Sequence, residues 1–246
     1  MRSSRSTQAS RLELARSART DLGANPKTPL VNDVEFLRVA EPLLEAVREL
    51  PGAATTASDV LDELALSLAV PSELIRPRVS RGVVAGHVVT AAYAPERRAL
   101  SHAGLRDEPS ALGHDRIFAL AQRGDVVVLD ARDAGPISLL GGLAAAAARK
   151  RGISACLVDG GVRDLNELDE IGLPVWSRTL TPRTGRWRLE LVQVNYPIVF
   201  GGVQVHAGDV AVADETGICF FPNAVAENGV RRLLEIAALE QGQLRT

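Results

Sequence analysis

Cysteine is scarce in this 246-residue chain: Cys156 and Cys219 are the only two, each inside an apolar run, 154–158 and 217–221. Two isolated thiols build neither a disulfide framework nor a zinc site, so both are expected as small buried side chains in a reducing, cytoplasmic setting. Lysine is equally rare, with only Lys27, in a polar N-terminal stretch, and Lys150, between Arg149 and Arg151 at a predicted helix end. Imine chemistry needs a desolvated lysine, and neither position offers one. No apolar run reaches the roughly 18 to 20 residues that cross a bilayer, and no signal-peptide hydrophobic segment opens the sequence. The formal net charge of -2 comes without a basic field through the body, which argues against nucleic acid as a partner. There is no G-x-x-x-x-G-K-[ST] or G-x-G-x-x-G phosphate turn and no G-x-S-x-G elbow. His87, His102, His114 and His206 are scattered without zinc-ligand spacing and read as structural or surface residues. Carboxylates, arginines and backbone amides remain as the chemical repertoire.

Residues 1–30 carry Arg2, Arg5, Arg11, Arg16, Arg19 and Lys27 against Glu13 and Asp21, and read as a flexible tail; the composition also resembles an organellar transit peptide. Residues 31–246 are expected to form a single α/β domain. Apolar spacing predicts a helix from Asn32 to Leu50, stopped by Pro51 and Gly52, and a second capped by Thr55, Thr56 or Ser58. Pro71 and Pro77 predict loop. Gly82 to Tyr93 is β-rich, as one strand or a pair around Gly86. A helix over 111–122 leads to the strand 125–130, a helix over 138–150 and a strand over 154–159, a βαβ unit with parallel pairing. A short helix after Asp164, several β pieces between 175 and 221 and a helix over 223–241 complete the chain.

The stretch from Leu140 to Glu167 carries the chemistry. It reads as a glycine turn opening an alanine-rich helix, then a buried strand, then a glycine-loosened turn bearing Arg163 and Asp164. An adjacent guanidinium and carboxylate can hold a substrate carboxylate and a metal ion together. A purely structural alternative is a capping box for the following helix, formed by Asp164 and Glu167 with Arg163 solvated. Arg178, Arg183, Arg186 and Arg188 read as a solvated loop or a basic lid. Asp130 reads as a strand-end acid, and Asp209 and Asp214 as turn residues.

Gly142, Arg163, Asp164 and Glu167 stand as G-x20-R-D-x2-E. This resembles the signature of the family that includes the regulator of ribonuclease E activity A and the divalent-metal aldolases for 4-hydroxy-4-methyl-2-oxoglutarate and 4-carboxy-4-hydroxy-2-oxoadipate. The resemblance runs from about Thr55 to Pro222, through Gly124-Asp125, Asp159-Gly160-Gly161-Val162, Asn195-Tyr196-Pro197-Ile198 and Ala213-Asp214-Glu215-Thr216-Gly217.

It implies a swivelling β/β/α sandwich with N-terminal helices and a C-terminal helix, assembled as a homotrimer or hexamer. It also implies a lyase that cleaves a 4-hydroxy-2-oxo acid or decarboxylates oxaloacetate through a pyruvate enolate. Asp164 would be the one direct ligand of Mg2+ or Mn2+, and Arg163 would pair with the 2-oxo acid substrate. Leu140, Gly141, Gly142 and Leu143 would bind the substrate, largely through backbone N–H groups at a helix start. Aldolases of the family carry an acid where this chain has Gly142. A second acid comes from the C-terminal helix of a neighbouring subunit, with Glu240 or Glu235 as candidates. The family's other activity, a non-catalytic regulator binding a ribonuclease or helicase, is the alternative.

Overall fold

The computed structural model describes residues 28–97 and 111–244. His102 and nearly all of the N-terminal tail lie outside the described residues. The chain opens with β1 (Leu30–Val31), then α1 (Glu41–Arg48), α2 (Ala53–Glu63), β2 (Ala69–Pro71), β3 (Arg76–Val79) and β4 (Val84–Pro95). After α3 (His114–Leu120) come β5 (Val126–Asp130), β6 (Ser138–Leu140), α4 (Gly142–Lys150), β7 (Ala155–Val162) and α5 (Leu165–Ile171). The remainder is β8 (Val175–Leu180), β9 (Leu189–Val194), β10 (Ile198–Phe200), β11 (Val203–Val205), β12 (Val210–Ala213), β13 (Gly217–Phe221) and α6 (Asn223–Leu244).

One large sheet runs β2-β13-β12-β4-β5-β7-β8-β3, and β9 with β1 adds at β4. Strand β4 is the hinge of this arrangement. Its first half pairs antiparallel with β12, Val84 to Ala213 through His87 to Val210, and its second half pairs parallel with β5, Val88 to Val126 through Ala92 to Asp130. It is one continuous strand, and Gly86 sits in it because the Gly124 carbonyl would collide with any Cβ there, 2.3 Å away.

Three apolar cores follow from the two faces of this curled sheet. Val84, Val88, Val126, Leu157, Trp176, Phe200 and Phe220 fill the inner face under the β10–β11 hairpin. Val89, Tyr93, Leu129, Val158 and Val162 meet α3, α4 and α5 through Phe118, Ala145 and Leu168. Ala85, Val212 and Phe221 meet α1, α2 and α6 through Val47, Leu61 and Leu233. The mixed α/β class and the closing helix agree with the sequence reading. Cys156 and Cys219 are buried, and burial pushes both thiols up to about 12.

Several local expectations are corrected. The helix expected from Asn32 begins only at Glu41, where Pro42 suits a first turn. Residues 32–40 are instead a strap: Phe36 stacks on His87 at 5.3 Å, Val39 N–H donates to His87 Nε2 at 2.9 Å, and Asn223 Nδ2 donates to the Leu37 carbonyl at 2.7 Å. Their apolar spacing reflects these contacts. The second helix starts after Gly52, with Thr55 and Thr56 inside it. Pro71 and Pro77 lie in β2 and β3, the two edge strands, where a missing N–H faces no partner. Arg178 belongs to β8 and ion-pairs with Asp159, so it is not part of a mobile loop.

Candidate active site

Strand β7 does not end at Asp159. It continues to Val162, so Gly160 and Gly161 are strand residues with negative φ. Their role is close approach: a Cβ on Gly161 would meet Thr181 Cγ2 at 2.5 Å and the Ile137 carbonyl at 2.8 Å. This slim edge lets β6 run parallel to β7, with Ser138 opposite Gly161 and Leu140 opposite Val162. The expected start of α4 at Ser138 is therefore a strand, Ser138–Leu140, and α4 begins at Gly142. His114 fixes this strand from α3, its Nε2 lying 2.7 Å from the Leu139 carbonyl. Burial lowers the pKa of His114, which keeps the ring neutral for that bond.

Strand β6 delivers Leu140, Gly141 and Gly142 beside Arg163 and Asp164. The Arg163 N–H donates to the Leu140 carbonyl at 3.1 Å. Asp164 has φ 61°, ψ 43°, the left-handed conformation that aspartate tolerates better than most residues. In that conformation its side chain does not cap α5; Oδ2 turns back to accept the Gly142 N–H at 3.1 Å and lies 3.4 Å from Arg163 Nε. The capping-box alternative is thus not realised.

At both glycines a side chain would displace a neighbouring side chain of this corner. A Cβ on Gly141 would stand 2.6 Å from Asp164 Oδ2 and 3.0 Å from Arg163 Nε, and one on Gly142 would overlap the Glu167 carboxylate. Glu167 therefore fills the space that a side chain at position 142 would enter. Ala145 N–H to the Gly141 carbonyl is the first bond of α4, which leaves the Leu143 and Ala144 amides at the helix mouth without intrahelical acceptors. The Asp164 carboxylate, held by the Gly142 N–H with Arg163 beside it, thus lies at the positive end of the α4 dipole.

The corner is open. The Arg163 and Asp164 side chains are 42% and 32% exposed, and Leu143 is 90% exposed. The structure brings together Leu140, Gly141, Gly142, Arg163, Asp164 and Glu167, with Leu143 at the rim. It does not bring Glu240 to them within one chain: α6 packs on α1, α2 and β13, Glu240 faces solvent, and Glu235 pairs with Arg232 at 3.3 Å. Two cavities, of about 1200 and 720 Å³, have neither Arg163 nor Asp164 in their walls. Asp209 and Asp214 shape turns as expected, accepting from the His206 and Thr216 amides at 2.8 Å.

A family model described as "RraA-like: Aldolase/RraA" matches residues 54–220, over half of the chain. The chain belongs to the RraA-like family. A relative from Halalkalibacterium halodurans named "Putative 4-hydroxy-4-methyl-2-oxoglutarate aldolase" is 28% identical over 125 residues, 51% of this chain and 59% of the relative. One of the same name from Pseudomonas syringae pv. tomato is 31% identical over 101 residues, 41% of this chain and 62% of the relative. The matched segments thus span under two thirds of these relatives. Among solved structures, the Streptomyces coelicolor protein RraAS2, titled an unusual member of the RNase ES inhibitor RraA protein family, superposes with a TM-score of 0.69 at 24% identity, covering 86% of this chain and all of that one. An uncharacterized Pseudomonas syringae pv. tomato protein superposes with a TM-score of 0.67 at 22% identity, covering 84% of this chain and 92% of that one. These two likenesses establish the RraA fold. Among the described residues no helix is long and apolar enough to cross a membrane.

Proposed function

We propose that this RraA-like protein is a divalent-metal-dependent lyase acting on 2-oxo acids. The observation that carries the reading is that Asp164 sits at the mouth of α4, bonded to the Gly142 N–H and beside Arg163, with both side chains open to solvent. Among the described residues no group of three or more His, Cys, Asp or Glu side chains could hold a metal ion. A lone carboxylate oxygen donor, open to solvent, fits a hard cation that keeps most of its water, Mg2+ or Mn2+, with Asp164 as its protein ligand. Bound there, such an ion supplies Lewis acidity toward a keto oxygen.

The chain's own groups do the rest. Arg163 pairs with the 2-oxo acid carboxylate and offsets its charge. The Leu143 and Ala144 N–H groups, backed by the α4 dipole, stabilise negative charge that grows on the substrate as the bond to the leaving fragment breaks. In retro-aldol cleavage of a 4-hydroxy-2-oxo acid the C3–C4 bond breaks, its electron pair moves toward the keto group, and the C4 hydroxyl loses its proton. Oxaloacetate decarboxylation gives the same pyruvate enolate with carbon dioxide leaving. Glu167, occupying the space beside Gly142, is assigned to orient water for the proton transfers, in place of an acid at position 142.

A homotrimer or hexamer would complete the open face, with Glu240 or Glu235 of a neighbouring subunit as the remaining acid. The test is pyruvate release from oxaloacetate and from 4-hydroxy-4-methyl-2-oxoglutarate, with and without EDTA, for wild type and Asp164→Ala. Release that stops with EDTA, returns with Mg2+ and falls at least about 100-fold in Asp164→Ala is expected. Metal-independent or mutation-insensitive release contradicts the reading. No turnover on either substrate, together with capture of a ribonuclease, would favour the regulator alternative.

A further inference from the structure

On β4 the residue after Gly86 is His87, 1% exposed, and it shares with Ala85 the face that meets α1 and α6. Both its ring nitrogens are bonded to distant parts of the chain. Nε2 accepts the Val39 N–H at 2.9 Å, so that nitrogen carries no proton. Nδ1 therefore holds the single ring proton and donates it to the Gly208 carbonyl at 2.9 Å. The imidazole clamps the strap of residues 32–40 to the turn between β11 and β12, and only the neutral Nδ1–H tautomer can do so.

Little else in the backbone holds this part of the strap. Among the described residues, the Val39 N–H to His87 is the one hydrogen bond that the backbone amides of residues 33–40 donate. The remaining contacts come from side chains. Phe36 lies over Gly208, where a Cβ would stand 2.6 Å from its Cγ, and Arg38 pairs with Asp125 while its guanidinium sits 5.5 Å from the Phe36 ring centroid. Asn223 Nδ2 donates both to the Leu37 carbonyl at 2.7 Å and to the Gly208 carbonyl at 2.9 Å.

A second proton can enter the ring only at Nε2, where it meets the Val39 N–H. Two donors then face each other and the buried amide loses its acceptor. The charges around the ring come from three elements: Arg38 of the strap opposes the added charge, while Glu41 of α1 and Asp125 before β5 favour it. Both acids are already paired, Glu41 with Arg48 and Asp125 with Arg38. On the β11–β12 turn, Asp209 accepts from the His206 and Asn223 amides. Burial, ahead of the opposing Gly208 bond, lowers the His87 pKa from 6.5. Opening the strap therefore takes up a proton, and acid drives it.

We propose that residues 36–39 are an acid-released strap: protonation of His87 at Nε2 ejects the Val39 N–H, lifts the strap and opens the cavity of about 1200 Å³ that Arg38, Val39 and His87 border. The device is separate from the Arg163–Asp164 corner and does not depend on the lyase reading.

The test is hydrogen exchange on the full-length chain between pH 7.5 and 5, corrected for the intrinsic pH dependence of exchange. Protection of the Val39 amide should be constant above pH 6.5 and fall by up to about tenfold per pH unit below it, the limit for uptake of one proton, while β5 stays protected. In His87→Gln the side-chain amide can donate to Gly208 and accept from Val39 at every pH, so protection should not vary with pH. Wild-type protection at Val39 that stays flat down to pH 5 overturns the inference. An equal fall in β5 overturns it as well, since the loss is then global unfolding; both of these outcomes are read from wild type, whether or not the variant folds. A fall in His87→Gln as steep as in wild type also overturns it, by moving the response to Asp125 or Glu41.

Discussion

At position 142 a single methyl group is enough to disturb the site, because the space it would enter belongs to the Glu167 carboxylate. Glu167 is exposed and can swing into solvent, so Gly142→Ala should cost no more than about 1 kcal/mol. Pairing it with Glu167→Ala should restore most of that loss in urea unfolding; additive losses would show that the two side chains do not compete. An acid at 142 with Glu167 retained would be worse than alanine, so the chain carries one acid in this space. Buried His87 and half-buried His114 make a second residue-scale prediction. Burial lowers the pKa of both His87 and His114 from 6.5, against opposing contributions from the Gly208 and Leu139 carbonyls. The Arg38, Asp125 and Glu41 charges also act on His87, and Asp115 on His114. The folded state thus favours the neutral rings, and their contribution to stability is complete above pH 6.5 and lost as pH falls below it. Urea midpoints measured between pH 7.5 and 5 should drop through that window, with a shallower drop in His87→Gln. A midpoint that rises on acidification would contradict this.

Among the elements, the unit β5–α4–β7 was legible because its strands are apolar runs that end in acids, a signal that burial on both faces imposes, and its helix carries five alanines in nine residues. Strand β6 was not, because three residues carry too little periodicity and its continuation into α4 reads as one helix. Strands β2 and β3 were masked by Pro71 and Pro77, whose breaking effect vanishes at a sheet edge. The motif spacing singled out Arg163 and Asp164, which the fold sets beside the Gly141–Gly142 turn, yet Glu167 was harder to place, since its position depends on contact with Gly142 across twenty-five positions of chain. The ion pair between β7 and β8 has its own consequence. Asp159 binds Arg178 and the Gly201 amide, tying the β10–β11 hairpin to the sheet. Asp159→Ala should cost about 1–3 kcal/mol, with the half-exposed Arg178 contributing little once solvated. Hydrogen exchange should accelerate at Phe200 and Gly201 before it does in β5; uniform acceleration would mean that the hairpin has no separate anchor.

For the molecule as a whole, the curled sheet leaves its candidate catalytic corner at the surface, between the mouth of α4 and the start of α5, and keeps α6 on another layer. If the proposed trimer or hexamer supplies the further acid and excludes water, activity should fall on dilution below the subunit association constant, as light scattering and pyruvate release measured on the same samples would reveal. Family membership was legible because glycines, acids and prolines at turns are set by backbone demands that spacing preserves. The central claim is a division of labour in which Asp164 holds the cation and Arg163 holds the substrate. Its most direct test is Mn2+ titration followed by electron paramagnetic resonance for wild type, Asp164→Ala and Arg163→Ala. The account predicts one Mn2+ per chain in wild type and in Arg163→Ala, and at least about tenfold weaker binding in Asp164→Ala; Mn2+ binding equal in all three proteins would contradict it.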